Sequence, residues 1–261
     1  MEKKKLGFGL MRLPLVNQAN AADVDVEQVK VMVDRFLEKG FTYFDTAWMY
    51  CGFNSENVTK TALVDRHPRE SYTLATKLHA GFIETPEDRD RIFNEQRAKT
   101  GVTYFDYYLL HGLEAESYQK MEQLDCFSWI VEKKQQGLVK NIGFSFHDEY
   151  PVFKRIIDDY DWEFAQIQYN YLDEHSQAGK RGLKRAHEKG MPVIIMEPLR
   201  GGRLVQGLPK SALKRIEKEE PKRSPAEWGL RWLWNQPEVT VVLSGMNDVE
   251  QVKENVRIAS E

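Results

Sequence analysis

Cysteine is nearly absent: Cys51 and Cys126 are the only two in 261 residues. They stand far apart with no metal-ligand partner at a usual spacing, which argues against a disulfide framework and a zinc site and fits a reducing cytoplasm. No apolar run approaches the roughly 18 residues of a membrane span. The start, MEKKKLGFGL, is basic but lacks the apolar stretch and cleavage pattern of a signal peptide. A net charge of -3 provides no electrostatic reason for a nucleic-acid or membrane partner. In a chain expected in the cytoplasm, the sequon Asn57-Val58-Thr59 carries little meaning. There is no low-complexity linker, and the charged stretch 214–223 reads as a solvated helix end and loop.

What the chain does have is alternation. With 41% hydrophobic residues there is ample material for a core. Short apolar runs at 7–10, 42–45, 72–76, 107–110, 141–144, 164–168, 193–196 and 239–243 read as strands, most of them apolar on both faces as in a buried parallel sheet. Helical segments are expected at 26–39, 121–136, 152–159, 177–189, 225–235 and 248–256. Gly40, Gly137 and Gly190 mark helix ends, and Ser224-Pro225 marks a start. Eight strand candidates without a composition break predict one domain over 1–261, a (β/α)8 TIM barrel of the α/β class. An open doubly wound sheet should carry G-x-G-x-x-G after its first strand, and the turn here reads Gly9-Leu10-Met11-Arg12-Leu13-Pro14.

Chemistry in such a barrel collects at the C-terminal strand ends. Those ends offer Asp45, Lys77, His111, Ser145, Gln168, Glu197 and Ser244, with Tyr50 in the loop after Asp45. Each alone is weak, since a polar strand end is more often a cap or an ion pair. Asp45, Tyr50, Lys77 and His111 together form a coherent set. A lysine held by a carboxylate favours the phenolate and is expected to lower a tyrosine pKa, while histidine orients a carbonyl oxygen beside the phenol. This suits protonation of an oxyanion produced by hydride delivery, and no serine or cysteine has an evident paired base for hydrolysis. Lys77 alone also reads as a Schiff-base lysine, against which the Asp45–Tyr50 pairing argues. His147 is divided between pocket and surface loop. His79, His175 and His187 are expected to face solvent, and Trp228, Trp232 and Trp234 to pack helices. Trp48 and Tyr169 are candidates for the pocket wall, though such aromatics are more often packing.

These stretches resemble the aldo-keto reductase family. The resemblance is carried by Phe44-Asp45-Thr46-Ala47-Trp48-Met49-Tyr50, Ala75-Thr76-Lys77, Asp106-Tyr107-Tyr108-Leu109-Leu110-His111, Gly143-Phe144-Ser145 and Gln166-Ile167-Gln168-Tyr169-Asn170. It continues in Glu197-Pro198-Leu199-Arg200-Gly201-Gly202, Ser244-Gly245-Met246 and Glu250-Gln251-Val252-Lys253-Glu254-Asn255, in order from about residue 6 to about residue 257. It implies Tyr50 as general acid, Asp45 and Lys77 as the pair tuning it, and His111 as the group positioning the carbonyl. It further implies that Ser145 and Gln168 hold the nicotinamide carboxamide and that residues 199–203 run along the cofactor diphosphate. Glu254 and Asn255 would contact adenine. Gly9, Met11, Met196, Pro198, Leu199, Arg200, Gly201, Gly202, Ser244, Gly245, Met246 and Gln251 complete the implied cofactor contacts, and Trp48 and His147 the implied substrate contacts. No metal is implied.

Departures from the family pattern are equally informative. Phe146 replaces the usual asparagine, and Met196 the tyrosine that stacks on the nicotinamide. Gly245 and Gln251 stand where the family carries cations for the 2′-phosphate, so two charge-assisted contacts are missing. Arg200, Arg203, Lys253 and Arg257 are candidate substitutes; NADPH is the expected cofactor, with NADH open. The front hairpin and long C-terminal tail of many members are missing from this sequence, predicting an open, shallow substrate site. The motifs resemble a branch that often carries a C-terminal iron–sulfur domain, for which no cysteine cluster is present. The expected activity is NAD(P)H-dependent reduction of an aldehyde or ketone, a small-molecule carbonyl. The alternative is a cofactor-binding redox sensor or scaffold subunit with little turnover. Specificity is expected in loops 48–54, 80–85, 113–118 and 200–210; neither the substrate nor the oligomeric state is legible.

Overall fold

The computed structural model describes residues 5–261, so the first four residues of the basic start lie outside the described residues. Its strands are β1 (Leu6–Gly9), β2 (Tyr43–Asp45), β3 (Thr73–His79), β4 (Phe105–Leu113), β5 (Val139–Phe146), β6 (Phe164–Gln168), β7 (Val193–Met196) and β8 (Val239–Gly245). Each runs parallel to the next, and β8 closes on β1 through the pairs Leu6↔Val242 to Gly9↔Gly245. The expected (β/α)8 barrel is therefore the observed architecture. The strands β3, β4 and β5 run further than their apolar runs, because backbone pairing continues past the point where side chains turn polar.

Alternation along each strand sorts the side chains into two sets. Tyr43, Ala75, Leu109, Phe164, Ile194 and Leu243, drawn from different strands, pack together in the barrel interior. Glycines make room for the large rings there. A Cβ on Gly7 would sit 2.7 Å from Leu243, and one on Gly143 would sit 2.5 Å from the Phe164 carbonyl oxygen. The opposite faces carry Phe8, Phe44, Leu74, Tyr108 and Phe144, which pack under the surrounding helices in the main core. Residues with the parity of the interior set, further toward the C-terminal end, include Asp45, Lys77, His111, Ser145 and Gln168.

Most expected helices are present, with two corrections. The expected single helix at 121–136 is broken into Ala115–Gln123 and Cys126–Gln135, with Asp125 left-handed at φ 51. The Arg89 guanidinium, donating to the carbonyls of Leu124 and Asp125, satisfies the groups freed by the break. The helix expected from 177 begins at Gly179, after positive φ at Gln177. The helices Pro86–Thr100 and Lys210–Ile216 escaped the pattern. The first carries a reciprocal Thr85–Asp88 capping box and Pro86 in its first turn, a legible start signal that its weak apolar periodicity obscured. Ser224 caps Pro225–Trp234 by accepting from the Glu227 N–H, as expected. Among the described residues no helix is long and apolar enough to cross a membrane.

Candidate active site

The strand β2 ends at Asp45 and β3 carries Lys77, both essentially excluded from solvent. Lys77 Nζ donates to Asp45 Oδ1 at 2.6 Å, to the Thr46 carbonyl at 2.7 Å and to Tyr50 Oη at 3.4 Å. Its three N–H groups thus have three acceptors, the arrangement a buried ammonium requires. The cation also lies 4.8 Å from the centre of the Tyr50 ring. Tyr50 opens a tight segment in which Cys51 and Gly52 both adopt left-handed conformations. His111, on β4, stands edge-on to Tyr50 with ring centroids 5.8 Å apart. The four residues singled out by sequence are brought together.

Their electrostatics correct one expectation. Burial raises the Tyr50 pKa and outweighs the lowering by Lys77, which Asp45 partly cancels. The phenol is therefore held neutral, where a lowered value was expected. Burial lifts Asp45 against the pull of Lys77, while for Lys77 the neighbouring Asp45 and Tyr50 overcome the effect of burial and raise its pKa. His111 falls well below the ordinary imidazole range through burial and through Lys77, His79 and His147. It is a neutral imidazole, and its buried Nδ1 has no partner among the described residues.

Two more imidazoles join this mouth. His79 is half-buried rather than solvent-facing: its ring lies 5.3 Å from that of His111, and its Nδ1 accepts from the Gly81 N–H at 2.9 Å. Strand parity was the available signal, since 75, 77 and 79 share a face of β3. His147 approaches the same spot, with Cδ2 and His79 Cδ2 each 3.9 Å from where a Cβ of Gly112 would sit. Trp48 packs edge-on against Phe53 and Phe82, and Phe82 lies 5.6 Å from His79, forming an aromatic wall beside the tetrad. Tyr169 is buried against Trp232 and donates to Gln236, so it serves packing.

Next to this mouth lies a polar cavity of about 560 Å³ lined by Arg12, Gln168, Gln177, Glu197, Arg200 and Arg203. Gln168 Nε2 donates to Asp173 Oδ2 at 2.8 Å, leaving its buried Oε1 unpartnered. Asp173 also accepts from Asn170 at 2.8 Å and pairs with Arg200 Nε at 3.2 Å, so this residue, not singled out by sequence, organises the β6 end. Ser145 Oγ accepts from the Gly112 N–H at 2.7 Å. A free amide carbonyl on Gln168 and a hydroxyl proton on Ser145 can together satisfy a carboxamide, which needs one acceptor and one donor. Pro198 is buried, Leu199 half-buried, and the turn that follows has Arg200 and Gly201 exposed, with Gly201 and Gly202 at φ 64 and 90. Met196 Sδ lies 3.7 Å from Gln166 Nε2, Met11 is exposed, and Gly9 packs against the β8 backbone.

The closing segment is arranged differently. Ser244 has the opposite parity to Leu243, so its hydroxyl faces the last helix and accepts from Asn255 Nδ2 at 3.0 Å. Met246 is fully buried in the core, from where its side chain supports the strand end. Gln251 bonds back to Asn247, and Glu254 accepts from Ser224 Oγ at 2.8 Å beside a second cavity of about 470 Å³.

The aldo/keto reductase family model matches residues 5–261. An uncharacterized oxidoreductase of Schizosaccharomyces pombe is 26% identical over 99% of this chain and 82% of its own. An aldo-keto reductase of Bacillus halodurans in its holo form superposes with a TM-score of 0.80 at 24% identity, over 98% of this chain and 87% of that one. One from Klebsiella pneumoniae in complex with NADPH superposes with a TM-score of 0.74 at 18% identity, over 100% and 91%. A family match spanning every described residue, on a closed eight-stranded barrel, identifies the chain as a member of the aldo/keto reductase family of oxidoreductases.

Proposed function

We propose that this protein reduces an aldehyde or ketone to an alcohol with a nicotinamide dinucleotide, using Tyr50 as the proton donor. The observation that carries the proposal is the single Lys77 ammonium shared between Asp45 and the Tyr50 hydroxyl. A nicotinamide cofactor, when bound, supplies hydride to the carbonyl carbon. The oxygen then carries developing negative charge and takes the Tyr50 proton, leaving a phenolate beside the Lys77 cation. Burial keeps Tyr50 protonated beforehand, so the acid is loaded at neutral pH. His111, neutral and with a free buried nitrogen, is suited to hold the carbonyl oxygen against the phenol. Gln168 and Ser145 offer a carboxamide its acceptor and donor, and the NADPH complex of the Klebsiella relative supports the same class of cofactor here. The Trp48, Phe53 and Phe82 wall favours a carbonyl with an apolar or aromatic body.

Tyr50→Phe removes the transferable proton and keeps the ring. It is expected to lower kcat for 4-nitrobenzaldehyde by roughly 10²–10⁴-fold with cofactor affinity unchanged. Turnover within a few-fold of wild type would rule Tyr50 out. Cofactor binding without turnover of any carbonyl by the wild type would favour a sensor or scaffold role.

A further inference from the structure

Strand β3 runs past Lys77 and ends on His79, paired in register with His111 of β4. The reaction proposed above makes no use of this second imidazole. Its Nδ1 accepts from the Gly81 N–H at 2.9 Å, which is its one side-chain hydrogen bond among the described residues. Burial lowers its pKa against the opposing pull of Glu114, so the ring is neutral. A neutral imidazole whose Nδ1 accepts carries its proton on Nε2. His79 therefore has a donor to spare, and that donor faces the end of β4. Nε2 lies 3.9 Å from where a Cβ of Gly112 would sit, as does Cδ2 of His147. Gly112, left-handed at φ 62, has no side chain to close this gap. The free N–H thus opens beside His111, whose ring centre is 5.3 Å from that of His79 and 5.8 Å from that of Tyr50.

We propose that His79 is a second substrate-binding imidazole, its Nε2–H holding an oxygen on the carbon next to the reacting carbonyl, so that 2-hydroxy and 2-oxo carbonyl compounds are the preferred substrates. This rests on the carbonyl reduction proposed above and leaves its chemistry unchanged: hydride still goes to the carbonyl carbon and the Tyr50 proton to its oxygen. Imidazoles whose ring centres are 5.3 Å apart suit two oxygens on adjoining carbons, each about 2.9 Å from its donor. A substrate without the second oxygen would cover the Nε2–H and leave it unpaired. A donor left dry in this way costs more than it gains when paired, which is how a site rejects an analogue lacking one polar group. The donor is neutral, Lys77 is already paired with Asp45, and Glu114 adds negative charge nearby. A hydroxyl or keto oxygen therefore fits better than a carboxylate.

The test measures kcat/KM in wild type, His79→Phe and His79→Gln for two sets of carbonyls. The first set, 2-hydroxyacetophenone and 1-phenyl-1,2-propanedione, has the second oxygen; the other, acetophenone and 4-nitrobenzaldehyde, lacks it. Benzoylformate serves as the carboxylate counterpart. His79→Phe removes both ring nitrogens, whereas His79→Gln restores an N–H near Nε2 without the acceptor for Gly81. Each compound is compared with itself across variants, so intrinsic reactivities cancel. His79→Phe should lower kcat/KM roughly five- to fiftyfold for the oxygenated set and less than about threefold for the other, with His79→Gln recovering most of the loss. Long-range proton–nitrogen NMR spectra, which need no turnover, should show the His79 proton on Nε2. Equal loss on every substrate would assign His79 to holding the Gly81 turn, and a loss confined to benzoylformate would assign it to a carboxylate. Either result overturns the inference and leaves the proposed function standing, as do no change in His79→Phe, a proton on Nδ1, or a wild type that reduces 4-nitrobenzaldehyde but neither oxygenated compound. Failure of wild type to reduce any of the five would overturn both.

Discussion

Glu56 is the sharpest test of how burial governs charge in this barrel. It sits on the short helix Ser55–Thr59, wholly excluded from solvent, on the outer side of β3 from Lys77. Oε1 accepts from Thr76 Oγ1 at 2.8 Å and Oε2 has no partner. Thr76 accepts in turn from Gln96 Nε2, which also donates to the Lys77 carbonyl, and Gln96 Oε1 accepts from Tyr108 at 2.7 Å. One hydrogen bond and an orphaned oxygen are a poor environment for a carboxylate and a tolerable one for a neutral acid. Burial accordingly pushes the pKa from 4.5 up to about 7, against the opposing pull of Thr76, Lys99, Gln96 and Lys77.

The raised value has a signed consequence for stability. Below the unfolded value both states are protonated and the full contribution is present; it is lost as pH rises through the folded value. A shift from 4.5 to about 7 corresponds to about 3 kcal/mol. Glu56→Gln cannot ionise, so its stability relative to wild type should improve by about 3 kcal/mol between about pH 4.5 and about pH 8.5. Urea unfolding of both proteins across that range measures the difference, from which titrations common to both cancel. A difference independent of pH, or one that moves in favour of wild type as pH rises, would refute the neutral buried acid.

Two further outcomes follow from packing and pairing. Gly143→Ala forces a Cβ to within 2.5 Å of the Phe164 carbonyl oxygen and should lower Tm by roughly 5 °C or more, with no loss expected only if β5 and β6 separate freely; calorimetry decides. Lys77→Met strands the buried Asp45 carboxylate and should cost about 3 kcal/mol or more of unfolding free energy, most of it recovered by adding Asp45→Asn, while activity returns in neither; additive single-variant losses in urea unfolding would contradict a coupled pair.

The eight strands were legible because each is a short apolar run ended by polar residues, and the tetrad because its members end or follow consecutive runs. What the sequence concealed has physical causes. The Pro86–Thr100 helix buries Ile92, Phe93, Gln96 and Thr100, two of them polar, so its buried face does not read as apolar. The break at Asp125 depends on an arginine 36 residues away, which no local pattern reveals. Ser244 follows an apolar run just as Lys77 does, yet its parity, opposite to that of Leu243, turns it toward the last helix. Applied consistently, the same two-residue period would have placed His79 at the mouth.

The direction of the Tyr50 shift bears on what Lys77 does. Were the phenol ionised in the resting protein, the attraction of Lys77 would be spent before any carbonyl arrived. Instead burial holds the phenol neutral, and Asp45 already neutralises much of the ammonium, so the ground state gains little from the 3.4 Å contact. In the proposed reaction charge would appear on Tyr50 only as its proton leaves. At that moment a buried cation fixed by Asp45 and the Thr46 carbonyl would meet a developing anion without having to reorganise. An interaction that strengthens only along the reaction coordinate accelerates it, whereas one equally strong beforehand would not. The buried Asp45–Lys77 pair, which as a stability device has no advantage over apolar side chains of similar volume, thereby makes physical sense as a preorganised countercharge.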